Sequence, residues 1–301
     1  MANLRDIRNR ISSIKNTQKI TRAMKMVAAA KLRKAQNRMN QNRPFSGKVE
    51  KVVARLVDSA SKDKPILRNP ETFQSILFII IGSDRGLCGG FNNNLFKEAE
   101  SKIIDKYSQF VESDSLDIIT VGRKANGYFS KRGYNVVEAH DNFFDEINYH
   151  TTSQIMNDVV ELFTDQKYDK VILCYNEFKT VISQNRIIKS VLPIDPDNIT
   201  DQEMDQDQEY EGQPIEYIYE PDVDKILNEL LPLYLNMQLW TAVLESNAAE
   251  QGARMTAMDS ATENAKELEE DLQLEYNQAR QSAITTEISE IVSGAQALEE
   301  S

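Results

Sequence analysis

The sequence predicts an α/β protein in which long N- and C-terminal helices pair as an antiparallel coiled coil, with an α/β domain between them in the chain. Three observations predict it. Apolar residues recur at three- and four-residue spacing over both chain ends, strand and helix signals alternate from about 73 to 194, and the two ends carry opposite charge.

The first helix is expected over residues 1–60, with Asn3 as N-cap. Its stripe runs through Leu4, Ile7, Ile11 and Ile14, slips, and resumes through Ile20, Ala23, Met24, Val27, Ala28, Leu32, Ala35 and Met39. Pro44 and Gly47 interrupt it before Val49, Val52, Val53, Leu56 and Val57. The middle, 73–194, reads as strand Ser75–Ile81, a Gly-rich loop Gly82–Gly90, helix Asn93–Phe110, strand Leu116–Val121, helix Ser153–Phe163, and strands Val171–Tyr175 and Ile187–Leu192. Such alternation predicts a mainly parallel sheet covered by helices, a Rossmann-like α/β domain. An acidic stretch, 195–221, is expected to be a solvated loop or insert. The last helix, 222–301, starts at Asp222, which follows Pro221 and serves as its cap. Pro232 is expected to delay or kink it. Its stripe passes through Ala261, Ala265, Leu268, Leu272, Ala279 and Ala283, then Ile284, Ile288, Ile291, Ala295 and Leu298.

Charge selects the partner of each helix. The net charge is −12, unevenly placed. Residues 1–48 hold thirteen Lys or Arg and one acid, Asp6; residues 259–301 hold eleven acids against Lys266 and Arg280. At about 1.5 Å per residue both helices outrun the core of a compact domain, so their narrow seams must bury against each other. The expected result is a projecting helix pair with a globular head.

Few residues point to chemistry. Cys88 and Cys174 are the only cysteines, with no CxxC or metal spacing, and read as buried free thiols. His140 and His150 lack an HExxH context. The longest apolar run, Ile76–Ile81, is too short for a membrane span. The loop Gly82–Gly90 follows a strand and precedes a helix, where phosphates are cradled, yet it has neither GxGxxG nor Gly-Lys-Ser/Thr. A structural or contact loop is the better reading. The basic first helix invites phosphate backbones, but it carries a continuous apolar stripe and no aromatic before Phe45. Two rivals therefore stand beside a mechanical role: a nucleotide-dependent enzyme built on the middle, and a coiled-coil scaffold or nucleic-acid binder.

Three segments together resemble the gamma subunit family of F-type ATP synthases: Asn16–Lys31 (NTQKITRAMKMVAAAK), Ser83–Asn92 (SDRGLCGGFN) and Ile284–Ala297 (ITTEISEIVSGAQA), the last preceded by Arg254–Thr262 and Tyr276–Gln281. They occur in the family's order. The resemblance implies a rotor shaft without catalytic residues, cofactor or metal. It implies partners: alpha and beta subunits at three to three to one, an epsilon subunit and a c-ring, with no nucleic acid and with peripheral membrane attachment through the complex. It places Arg254, Arg280, Gln281, Thr285 and Glu287 against catch loops of the surrounding subunits, and Met24 and Lys25 against the beta-subunit lever, with Cys88 near that lever. The first segment begins so near Met1 that a bacterial protein at the cytoplasmic face of the cell membrane is expected, rather than an organelle precursor. The cysteine-free acidic stretch predicts no thiol switch.

Overall fold

The computed structural model describes residues 4–57, 65–70, 72–194, 209–210, 213–214, 219–220 and 222–299. In chain order the elements are α1 (Leu4–Val57), β1 (Ile76–Ile81), α2 (Phe91–Glu112), β2 (Leu116–Val121), α3 (Arg123–Phe129), β3 (Asn135–His140), α4 (Tyr149–Thr164), β4 (Lys170–Phe178), β5 (Gln184–Leu192), the short pair β6 (Glu209–Tyr210) and β7 (Gln213–Pro214), and α5 (Val223–Glu299). Asn3 and most of the acidic stretch lie outside the described residues. The chain divides into two compact units, Met1–Ala29 with Arg254–Ser301, and Ala30–Ala253.

In the larger unit the sheet order is β3-β2-β1-β4-β5, with β1, β2, β3 and β4 parallel and β5 antiparallel to β4. Ile-Leu-Phe-Ile-Ile-Ile of β1 is buried at every position because a central parallel strand is covered on both faces. Odd-numbered Leu77, Ile79 and Ile81 pack with α4 (Ile155, Val159, Phe163), α1 (Val53, Leu56) and α5 (Leu231, Leu235, Leu239). Even-numbered Ile76, Phe78 and Ile80 pack with α2 (Leu95, Phe96, Ile103) and α3 (Ala125, Phe129). A period-2 strand thus sorts its side chains into two helix-covered cores.

Each of the two long helices continues through its proline, α1 through Pro44 and α5 through Pro232. The late start expected at Pro232 is therefore replaced by a helix that already runs from Val223, beginning where Asp222 Oδ1 accepts from Lys225 N at 2.9 Å.

The smaller unit is an antiparallel helix pair. Arg8 Nη2 donates to Tyr276 Oη at 2.7 Å, Lys15 meets Glu269 at 3.3 Å, the Thr21 and Thr262 hydroxyls meet at 2.8 Å, and Lys25 pairs with Asp259. Partner numbers fall on α5 as they rise on α1, which fixes direction and register. Ile7, Ile11 and Leu272 form the buried cluster, with Ile14, Tyr276 and Ala279 packed on it.

Two details of the predicted seam are corrected. After Ile14 it crosses Gln18 and buried Thr21, not Ile20, Ala23 and Val27; Ile20 is 59% and Val27 57% exposed. A stripe advancing by 3.5 residues per turn from Ile14 reaches positions 18, 21, 24–25 and 28, so Gln18 and Thr21 occupy it and Ile20, Ala23 and Val27 fall outside. On α5, Leu268 lies off the seam and is exposed, as are Ile284, Ile288 and Ile291, and Ala295 with them. The last cluster residue on α5 is Ala279, set against the first turns of α1, so the later isoleucines have no described α1 residue to cover them.

Candidate partner-contact site

The expected contact residues fall into four places. Met24 and Lys25 lie on α1 in the smaller unit, both half-buried, with the Lys25 ammonium engaged by Asp259. Arg254 is partly buried on α5. Arg280, Gln281, Thr285 and Glu287 lie on the last third of α5 and are all exposed. Thr285 Oγ1 donates to the Gln281 carbonyl at 3.0 Å and Thr286 Oγ1 to the Ser282 carbonyl at 3.0 Å, the back-bonding that lets hydroxyls sit inside a helix. Beside this polar strip the exposed Ile284, Ile288, Ile291 and Val292 make a second, apolar one. Exposed aliphatic residues at three- and four-residue spacing mark a surface made to be covered.

Cys88 belongs to the Gly-rich loop of the larger unit. Its side chain is turned inward, 2% exposed, against Phe91 and Ala249. Asn92 Nδ2 donates to its sulfur at 3.3 Å and to Ser83 Oγ at 2.7 Å, while Asn92 Oδ1 accepts from Ser83 N at 3.0 Å. What the loop exposes is Leu87, 65% accessible, and Arg85, ion-paired to Asp145 at 3.1 Å. The other cysteine, Cys174, is wholly buried, and burial pushes its thiol pKa far up, as befits an unreactive core residue.

Sequence reasoning missed the residue that shapes this loop. Asp84 is 4% exposed, and its carboxylate accepts from three backbone amides: Arg123 N at 3.0 Å, Asn142 N at 2.8 Å and Phe144 N at 2.8 Å. The first of these is the opening amide of α3, so a side chain of the protein itself occupies a helix N-terminus that an anionic ligand would seek. Its only sequence signal was an acid set between Gly82 and Gly86 directly after an apolar strand. Gly122, at the end of β2, has φ +98°, and a Cβ there would stand 3.0 Å from the Ser83 carbonyl carbon; the close approach of these two strand ends requires glycine.

Among the described residues, no three His, Cys, Asp or Glu side chains gather as a metal site, and no helix is long and apolar enough to cross a membrane. A family model described as ATP synthase matches residues 3–298. The chain is 48% identical over 303 residues to the ATP synthase gamma chain of Chloroherpeton thalassium, covering all of both chains. The chain belongs to the ATP synthase gamma chain family. Another relative in the family, from Salinibacter ruber, is 47% identical, again over the whole of both chains. Among solved structures, the chain resembles one from the central stalk and c-ring of Tetrahymena thermophila mitochondrial ATP synthase at 26% identity and TM-score 0.58, covering 80% of this chain and 99% of that one. A chain from the Euglena gracilis mitochondrial enzyme, at 20% identity and TM-score 0.66 with 98% and 94% covered, shares the fold. Gamma chains are non-catalytic stalk subunits.

Proposed function

We propose that this chain is the central rotor shaft of a bacterial F-type ATP synthase, at the cytoplasmic face of the cell membrane and attached to it only through the complex. The observation that carries the reading is the register of the smaller unit: the two chain ends wind into one antiparallel pair, and the apolar strip on α5 continues past it, uncovered. Such a rod suits the inside of a ring of three alpha and three beta subunits. The division of labour is shaft at 1–60 and 222–301, head at 73–194, and an acidic insert at 195–221, with the head set on an epsilon subunit and the c-ring.

The mechanism is differential stabilisation. A lopsided rod meets each of three identical partners through different side chains, so each angle favours a different set of open and closed partner conformations. Ion-driven rotation then changes nucleotide affinities in turn, and reciprocity of coupling lets hydrolysis drive the rod backwards. Paired helices resist torsion better than one. In this reading Arg254, Arg280, Gln281, Thr285 and Glu287 grip the surrounding catch loops. Met24 and Lys25 face the beta lever, and the Cys88 loop meets it through Leu87 and Arg85 while the thiol stays inside. The basic first helix complements an acidic lever and speeds correct docking.

Native purification tests this. The chain is expected to bring alpha and beta subunits at one to three to three; recovery alone, or with nucleic acid in a salt-sensitive complex, contradicts it. Arg254→Ala and Gln281→Ala are each expected to lower coupled turnover while catalytic-site nucleotide binding is retained. Deleting Thr200–Gly212 is expected to preserve assembly, and severe loss of assembly would refute the insert assignment.

A further inference from the structure

A cleft of roughly 360 Å³ opens within the larger unit between α1, the segment 144–147 and α5. The α1 wall presents Lys31, Lys34 and Arg38, at i, i+3 and i+7 on one helix face. All three are exposed, and none is ion-paired with a described residue. Like charges at this spacing repel, a cost that no ion pair to a described acid offsets. At the base lie Asn247 and Gln251 of α5. Gln251 is only 6% exposed, and its Oε1 makes no hydrogen bond among the described residues. A buried amide oxygen without a partner is a rare and unfavourable state.

The far wall is held in place. Asp84 anchors Asn142 N and Phe144 N, and Asp145 is engaged by Arg85 at 3.1 Å. Three cations converge with one buried amide on a fixed wall, and Glu146 remains as the opposing acid.

We propose that this cleft binds a small phosphate-class oxyanion, of one or two phosphoryl groups, through Lys31, Lys34, Arg38 and the Gln251 amide. Arg38 supplies a planar fork and the lysines supply point charges, the pairing best suited to phosphoryl oxygens. Rotation of the Gln251 amide offers the ligand either a donor or an acceptor. Glu146 and the limited volume disfavour longer polyanions. Occupancy would relieve the charge crowding on α1 and tie that helix to the 144–147 wall. The site is independent of the partner-contact strip on the last third of α5.

Two measurements on the folded full chain, its helix content checked by circular dichroism, test the proposal. In calorimetric titrations with inorganic phosphate, pyrophosphate and ADP, pyrophosphate is expected to bind one to one. Lys34→Ala combined with Arg38→Gln is expected to weaken it at least about tenfold, equivalent to about 1.4 kcal/mol. Gln251→Met is expected to weaken it less, and Lys48→Ala not at all. Binding of ADP but not pyrophosphate would identify a nucleoside, not the oxyanion, as the recognised group and overturn the proposal. In parallel, pyrophosphate is expected to protect Lys31 and Lys34 from amine acylation, read by peptide mass spectrometry. No binding at millimolar pyrophosphate, equal binding by the double variant, unprotected lysines, or binding of acidic polypeptide alone each overturns it.

Discussion

The Thr21 and Thr262 hydroxyls meet at 2.8 Å across the paired helices, while Ile20, the preceding residue on α1, is 59% exposed. The seam has taken a polar residue and rejected its apolar neighbour, because heptad spacing from Ile14 leaves no choice. Stability should follow the seam and not hydrophobicity. Leu272→Ala, which empties part of the cluster with Ile7 and Ile11, is expected to cost about 2 kcal/mol. Ile20→Ser should change thermal stability by less than about 0.5 kcal/mol and reveal itself instead in assembly with partners. Paired melting curves check both.

Asp169 predicts acid sensitivity. Burial opposes its ionised form, but hydrogen bonds from Gln74 N, Arg68 and Ser75 N together outweigh that and hold its pKa below the ordinary value. The contribution is present above the ordinary carboxylate range and lost as pH falls through it into the depressed folded value. Asp169→Asn is expected to destabilise by about 2 kcal/mol at neutral pH, with the difference shrinking on acidification in denaturant titrations.

Glu245 predicts the opposite sign. Burial, unfavourable to its charge, raises its pKa despite the Arg43 guanidinium at 3.2 Å, and Glu177 adds to the rise while Lys189 reduces it. The folded state holds this proton more tightly, so stability falls as pH climbs above the ordinary glutamate value of 4.5. Glu245→Gln should gain on the native chain across that rise and show no advantage below it. A gap that stays constant with pH contradicts the assignment.

Gly122→Ala forces a side chain into φ +98° and to within 3.1 Å of the Gly82 carbonyl oxygen. The expected loss is about 2–3 kcal/mol. Hydrogen exchange should show it concentrated in the Gly82–Gly90 loop and the amides that Asp84 holds.

Much of the fold was legible in the sequence because its signals are local. The all-apolar β1 announces a central strand, and the opposite charges of the chain ends select each other. The strand β3 escaped notice because an edge strand alternates in exposure, and Asn-Val-Val-Glu-Ala-His carries little apolar pattern. The seam slip at Ile20 could not be read from composition, since the helix is apolar on a second face there. The partner-contact residues were legible only as resemblance; nothing in the periodicity of α5 distinguishes Gln281 or Thr285 from any solvated position. Asp84 was hidden because its partners, Arg123, Asn142 and Phe144, come together only when the strands align.

The most direct test of the shaft is a disulfide engineered between Thr21→Cys and Thr262→Cys in the assembled complex. Both residues belong to one rotating body in this account, so the bond should form readily and leave ATP-driven rotation and coupled turnover intact. Failure of the pair to cross-link, or a bond that halts turnover, would contradict it.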